Sequence, residues 1–328
     1  MSAKVNGGVV AAVGMTHTPG LGDQLDRPDA AQVKRLFEGF DQVRRQIEQA
    51  QPDVIVAFVN DHFDMFTLRG MPAVAIGLGD THWGPTAETE AWIQMKRGPV
   101  PGHRDLAFDI YASLMDDGFD LYRFESAEFV HNVLLPKRYL WPGLDIPVVP
   151  VFINCFVPPL PTFRRAYELG QAIRKVVARR SERVAFLASG GISHWPPIFA
   201  EEFEVGDPRR ERLLQFHMYG PEALKKDPTI FLALLEREKE MAASSRQLIN
   251  IEWDREFLQR LAEGDVEYLS NLNHDEVRAA GGPGGAEMLL WVALMGAMDG
   301  GKAHVVMYEP VKEWMGGVGL LSYAMSPG

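Results

Sequence analysis

The sequence predicts an α/β fold: one domain over residues 1–328, with a mainly parallel or mixed central sheet flanked by helices and a helical insertion at about residues 200–250. Three observations predict it. Short β-branched-rich apolar runs such as Val54–Val59 alternate with longer amphipathic stretches such as residues 30–51, the order expected of strands joined by crossover helices. The apolar runs are continuous, as in strands buried on both faces. No internal repeat or low-complexity linker divides the chain, and its length suits one large domain or two ordinary ones.

Taken in order, residues 8–13 form a buried strand that ends at the loop 15–22. In residues 30–51 the apolar side chains Val33, Leu36, Phe37, Phe40, Val43 and Ile47 recur at steps of three and four, which is the stripe of an amphipathic helix. Val54–Val59, bounded by Pro52-Asp53 and Asn60-Asp61, completes a strand–helix–strand unit. The pattern continues with helices at 103–117 and 162–179 and strands at 120–124, 146–152 and 184–188. Residues 208–248 read as two or three charged helices, and 253–262 as another. After the break Gly281-Gly282-Pro283-Gly284-Gly285 a strongly apolar helix runs from about 286 to 298, and 304–308 is read as the last strand before the Gly-rich segment 316–319.

Composition narrows the function. With 46% hydrophobic and 23% charged residues the chain is globular, neither fibrous nor disordered. A formal net charge of -11 with no Lys/Arg run repels nucleic acid. The single cysteine, Cys155, lies in an apolar run as a buried thiol, which excludes intrachain disulfides and Cys-based zinc sites. The N-terminal apolar run is too short for a secretory signal, and no stretch of ~18 apolar residues exists to span a membrane. A cytoplasmic protein is expected, without membrane or nucleic-acid partners. Neither GGPGGAE nor the other Gly-rich segments have the spacing and Lys-Ser/Thr ending of a phosphate loop.

The chemistry sits on the histidines. Of nine, His103, His217, His274 and His304 fall in helices, at element ends or among charged neighbours, and His82 lies in the loop 79–85. His17 (THTPG), His62 (VNDHF) and His194 (SGGISHW) each follow a buried strand. Residues just beyond the carboxyl ends of such strands converge on the crevice where open α/β sheets bind ligands. His131, in FVHNVLLP, lies in an apolar, loop-like segment where a buried imidazole needs a reason. The missing carboxylate is Glu287, at the start of the most apolar helix. Helix capping would explain a carboxylate there. Residues 288–292 bury that helix end, however, and a buried charge is costly unless paired or metal-bound. Two His and one carboxylate from separate elements make the facial triad of non-haem Fe(II) oxygenases. Zinc hydrolases use the same donors, so spacing leaves the metal open.

At these residues the chain resembles the class III extradiol ring-cleavage dioxygenases, the LigB-type family of protocatechuate 4,5-dioxygenase catalytic subunits and gallate dioxygenases. It looks closest to the 2,3-dihydroxyphenylpropionate 1,2-dioxygenase branch. The likeness runs through THTPG, VNDH, DIPVVPVFIN, PLPTFRRAYELGQAIRK, RVAFLASGGISHWPP, INIEWDREFL, AEMLLWVA and EPVKEWMGGVG. It implies Fe(II) as cofactor, held by His17, His62 and Glu287. It implies His131 as the acid/base histidine and His194 as a second catalytic histidine that contacts substrate or O2. The partners implied are a catechol-type substrate and O2, with meta cleavage of the ring, and a homo-oligomer is expected. The family's usual Asp-His-Gly around the base is Val130-His131-Asn132 here, so the base is tuned differently or the pocket serves another ring substituent. An acidic substituent would call for a cation, with Arg69, Lys96, Arg97, Arg209 and Arg210 as candidates. A 2-aminophenol-cleaving dioxygenase and a zinc-dependent hydrolase are the alternatives.

Overall fold

The computed structural model describes residues 7–325. Its strands and helices follow in the order β1 Gly8–Met15, α1 Ala30–Ala50, β2 Val54–Val59, β3 Val74–Gly77, β4 Thr81–Gly84, α2 Glu90–Ile93, β5 Gly98–Pro101, α3 Arg104–Asp116, β6 Tyr122–Phe124, α4 His131–Leu140 and β7 Val148–Ile153. Then come α5 Phe163–Val177, β8 Arg183–Ser189, α6 Pro208–Tyr219, α7 Pro221–Lys226, α8 Thr229–Ala243, α9 Ile251–Glu263, α10 Val266–Ser270, α11 His274–Gly281, α12 Met288–Ala297, β9 Ala303–Val311 and β10 Gly316–Tyr323.

An eight-stranded mixed sheet runs β6-β3-β7-β2-β8-β1-β10-β9, and β4 and β5 make a separate ribbon. The four middle strands β7, β2, β8 and β1 are mutually parallel. Antiparallel pairs flank them, β3 against β7 and β10 against β1. All six residues of β2 and of β7 are buried, as parallel strands covered on both faces must be. Strands β1 and β2 do not pair with each other. Strand β8, reached much later in the chain, inserts between them. The carboxyl ends of three parallel strands therefore open side by side at one edge, which is where a crevice forms.

Helices pack on both faces. On one face α5, α9 and α12 share an apolar core with β2, β7 and β8, in which Trp291 is fully buried. On the other, α1 and α4 pack Leu36, Phe40, Leu134 and Leu140 against the sheet. Helix α1 begins at Asp29, whose carboxylate accepts hydrogen bonds from the Ala31 and Gln32 N–H groups, donors that the helix itself leaves unpaired. Among the described residues no helix is long and apolar enough to cross a membrane.

Two sequence expectations need correction. The segment at His131 is not a loop: it opens α4, with Pro136 inside the helix. The strand at His304 is not the last one either, because the Gly-rich segment 316–319 begins β10, which pairs with both β1 and β9. The expected insertion consists of α6, α7 and α8, preceded by a single 3-10 turn at Ala200–Glu202.

Candidate active site

The sheet edge gathers all five residues singled out in the sequence. His17 lies just past β1, His62 just past β2, and His194 beyond β8. His131 is the first residue of α4, and Glu287 closes a 3-10 turn directly before α12. All five line one cavity of about 210 Å³.

Glu287 is the hub. It is only 1% exposed, and one carboxylate oxygen lies 3.4 Å from His17 Nε2. The other lies 3.5 Å from His62 Nε2 and 3.6 Å from His194 Nε2. Two neutral donors hold the carboxylate in place, Asn60 Nδ2 at 3.0 Å and the Gly191 backbone N–H. His17 is oriented from behind by Ser189 Oγ, 2.9 Å from its Nδ1. His131 packs against both other rings, 4.3 Å from His62 and 5.0 Å from His17 between centroids, with Trp92 at 5.1 Å. His17, His62 and His131 each offer a ring nitrogen within 4.8 Å of the others, so these three are also a group able to hold a metal ion.

The electrostatics separate the groups. Burial drives the His17 pKa down to about 3, against the pull of Glu287, and leaves its imidazole neutral. Burial, with help from His62 and His17, also holds His131 well below the ordinary histidine value. For Glu287 burial acts upward, but the electrostatic pull of His17 and His194 and the hydrogen bonds with His194 and His62 outweigh it and keep the carboxylate ionised. His194 moves the other way. Burial opposes its protonation, yet Glu287 and the Ile192 carbonyl prevail and raise its pKa. Its Nδ1 lies 3.2 Å from the Ile192 carbonyl oxygen. A carbonyl can only accept, so Nδ1 carries the hydrogen and Nε2 is the nitrogen that titrates.

Several residues that shape this site carried no signal of their own in the sequence. Asn60 bridges Glu287 and, at 3.3 Å, His62. Asn132 donates to the Asn60 carbonyl at 2.8 Å and accepts from the Val133 N–H at 2.9 Å, which ties the start of α4 to the His62 loop. Asp254, on α9 and 0% exposed, accepts from the Ser193 N–H at 2.8 Å and from the Tyr308 hydroxyl at 2.5 Å. It thereby fixes the loop that carries His194.

The glycine-rich segments also have a function. A Cβ on Gly191 would sit 2.3 Å from the His194 ring, and one on Gly284 would sit 2.4 Å from it. The ring slots between two backbones that lack side chains. None of the five cations suggested for an acidic substituent lines the cavity. Arg97 is paired with Glu128, Lys96 with Glu90, Arg209 with Asp207 and Glu240, and Arg210 with Glu211, while Arg69 lies over the Tyr219 ring.

The remaining histidines stand outside this site. His82 is in β4 rather than a loop, fully buried, and accepts from the Ala127 N–H. His103 caps α3, and His217 and His274 each lie within hydrogen-bond distance of a backbone carbonyl.

A family model described as the catalytic LigB subunit of aromatic ring-opening dioxygenase matches residues 11–319. The chain belongs to this family of ring-opening oxidoreductases. It is 32% identical over 313 residues to the 2,3-dihydroxyphenylpropionate/2,3-dihydroxicinnamic acid 1,2-dioxygenase of Photorhabdus laumondii, covering 94% of this chain and 95% of that one. It is 30% identical to the proteins of the same name from Klebsiella pneumoniae, over 94% and 96%, and Rhodococcus sp, over 95% and 97%. Among solved structures, the uncharacterized protein JW3007 of Escherichia coli K12 shares the fold, with a TM-score of 0.50 and 12% identity over 96% of this chain and 99% of that one.

Two predictions follow from the supports of His194. Gly284→Ala must displace the imidazole, and overpacking of this kind typically costs about 1–3 kcal/mol. Denaturant unfolding should show that loss, and an unshifted midpoint with an unmoved His194 NMR resonance would refute the packing. Burial pushes the Asp254 carboxyl up to about 6, against the hydrogen bonds from Tyr308 and Ser193. A raised folded-state pKa contributes stability that is complete below about pH 4 and lost as pH rises through about 6, on the order of 3 kcal/mol in all. Asp254→Asn should therefore gain on the wild type by that amount between pH 4 and pH 8. A pH-independent difference between the two would contradict it.

Proposed function

We propose that this protein is a mononuclear non-haem Fe(II) extradiol dioxygenase that inserts both atoms of O2 into a substituted catechol, with His17, His62 and Glu287 as the metal ligands. The observation that carries the reading is the Glu287 carboxylate, ionised and almost fully buried, with its two oxygens facing the Nε2 atoms of two histidines. An ionised carboxylate out of water needs compensating charge; a protonated His194 supplies part of it, and a metal ion held beside the neutral His17 would supply the rest. The donor set fits a metal ion: burial keeps His17 in its neutral, ligating form, and Ser189 orients its ring from behind, as supporting residues do for ligating histidines. The three-histidine grouping with His131 is the rival set. The triad is preferred because it uses the carboxylate and leaves His131 free to carry protons.

Bound Fe(II) would supply open positions for catechol and O2 on one centre and a path for electrons between them. The chain's own residues do the rest. His131, neutral and at the cavity wall, takes a catechol hydroxyl proton on its imidazole. His194 presents Nε2 to the same cavity, with Nδ1 tied to the Ile192 carbonyl, and returns a proton to the reacting oxygen. The names of the relatives support the same chemistry, since each is a 1,2-dioxygenase of a dihydroxylated ring. Phe156, Trp195, Ile198 and Trp314 give the cavity a largely apolar lining around the reacting groups, which reduces their contact with water.

His62→Ala should purify with little or no iron after anaerobic reconstitution, and full iron content by metal analysis would remove His62 from the ligand set. His131→Phe should hold iron normally and lose turnover by about 10²-fold or more, the usual worth of a general acid/base. Near-wild-type O2 uptake in that variant would end its role as base. A zinc-dependent hydrolase would show no catechol-dependent O2 uptake at all.

A further inference from the structure

Beyond the five reactive side chains, the cavity wall is mostly apolar, with Thr16, Thr18 and Gln24 as neutral polar members. Phe156, Trp195, Pro197, Ile198, Leu234 and Trp314 line it, and no lysine or arginine does so among the described residues. Its charged lining group other than the site itself is an acid, Glu238, on the insertion helix α8. Two guanidinium groups come near the rim and both are engaged. Arg27 lies 3.7 Å from the Glu238 carboxylate and donates to Gln24 Oε1 at 2.7 Å. Arg246 is 2.9 Å from Glu202 and 6.0 Å from the centre of the Trp195 ring.

A carboxylate on the substrate would thus leave water for a mostly apolar wall that offers a few neutral polar groups but no lining cation, and it would compete with Glu238 for Arg27, which is unfavourable on both counts. The volume, about 210 Å³, falls below the roughly 300–1,000 Å³ of sites for larger ligands, so it suits one substituted ring. Resting on the catechol reading above, we propose that this cavity selects a catechol whose ring substituent is small, apolar and uncharged. In this it departs from the relatives, whose names carry a propionate or cinnamic acid side chain. Leu234 and Glu238, both from α8, set the selection: one supplies apolar contact and the other repels anions.

The test uses the full chain loaded with Fe(II) under anaerobic conditions and a matched pair of probes, 3-propylcatechol and 3-(2,3-dihydroxyphenyl)propionate. Calorimetry reads their affinities before O2 is admitted, and O2 uptake is recorded afterwards. Binding of the propyl compound at least tenfold tighter is expected, and Glu238→Gln should shrink that ratio severalfold by improving the acidic probe. Equal affinities, tighter binding of the propionate through release of Arg27 from Glu238, or binding of neither probe would overturn the proposal. A retained preference for the propyl compound without O2 uptake for either would uphold the selectivity and count against the dioxygenase reading alone.

Discussion

The ionised carboxylate of Glu287 is the constraint around which the rest of the site is arranged. An unpaired charge inside a protein is costly enough that the surroundings must either neutralise it or saturate its lone pairs. Here the Asn60 side chain and the Gly191 N–H each give it a hydrogen bond, and three imidazoles point at it. These five contacts come from three segments, so the loops after β1, β2 and β8 are held in mutual register by one side chain. Moving Glu287 would loosen all of them.

The sheet makes that convergence possible. Placing β8 between β1 and β2 brings three carboxyl ends to one edge, and the antiparallel β10 then returns along β1 to set Gly316 and Gly317 against the cavity. The helices α6 to α8 interrupt the α/β succession, and α8 closes the cavity from outside with Leu234 and Glu238. On the proposed reading, the sheet edge therefore carries the reactive groups, and an inserted helix carries the side chains that would meet the substituent. This division of labour lets chemistry stay fixed while the recognised group changes.

Much of this was legible in the sequence. Helix α1 and strand β2 were bounded almost to the residue, because an amphipathic stripe and a continuous β-branched run are strong periodic signals. Histidines just past three apolar runs pointed to one crevice, and all of them meet there. Helix α4 was unreadable because eight of its ten residues are buried, Pro136 included, which erases the polar face that marks a helix. Strand β10 was missed because glycine normally weakens a strand. Within this sheet the glycines make room: a Cβ on Gly317 would run into Tyr308 and Asp254, and one on Gly319 into Ile192. The roles of Asn60, Asn132 and Asp254 depend on partners far away in sequence, so no local pattern could reveal them. The suggested substituent-binding cations failed for a related reason, since a charge in a sequence does not show the acid that already engages it.

The order in which the chain supplies these groups has a consequence for its biosynthesis. His17 and His62 emerge first, His131 and His194 midway, and Glu287 only with the final segment before α12. Contacts of such long sequence separation close late in folding. A nascent chain still attached to the ribosome thus exposes imidazoles without the carboxylate that gathers them. The five-residue cluster can therefore close only after the segment that carries Glu287 has been made.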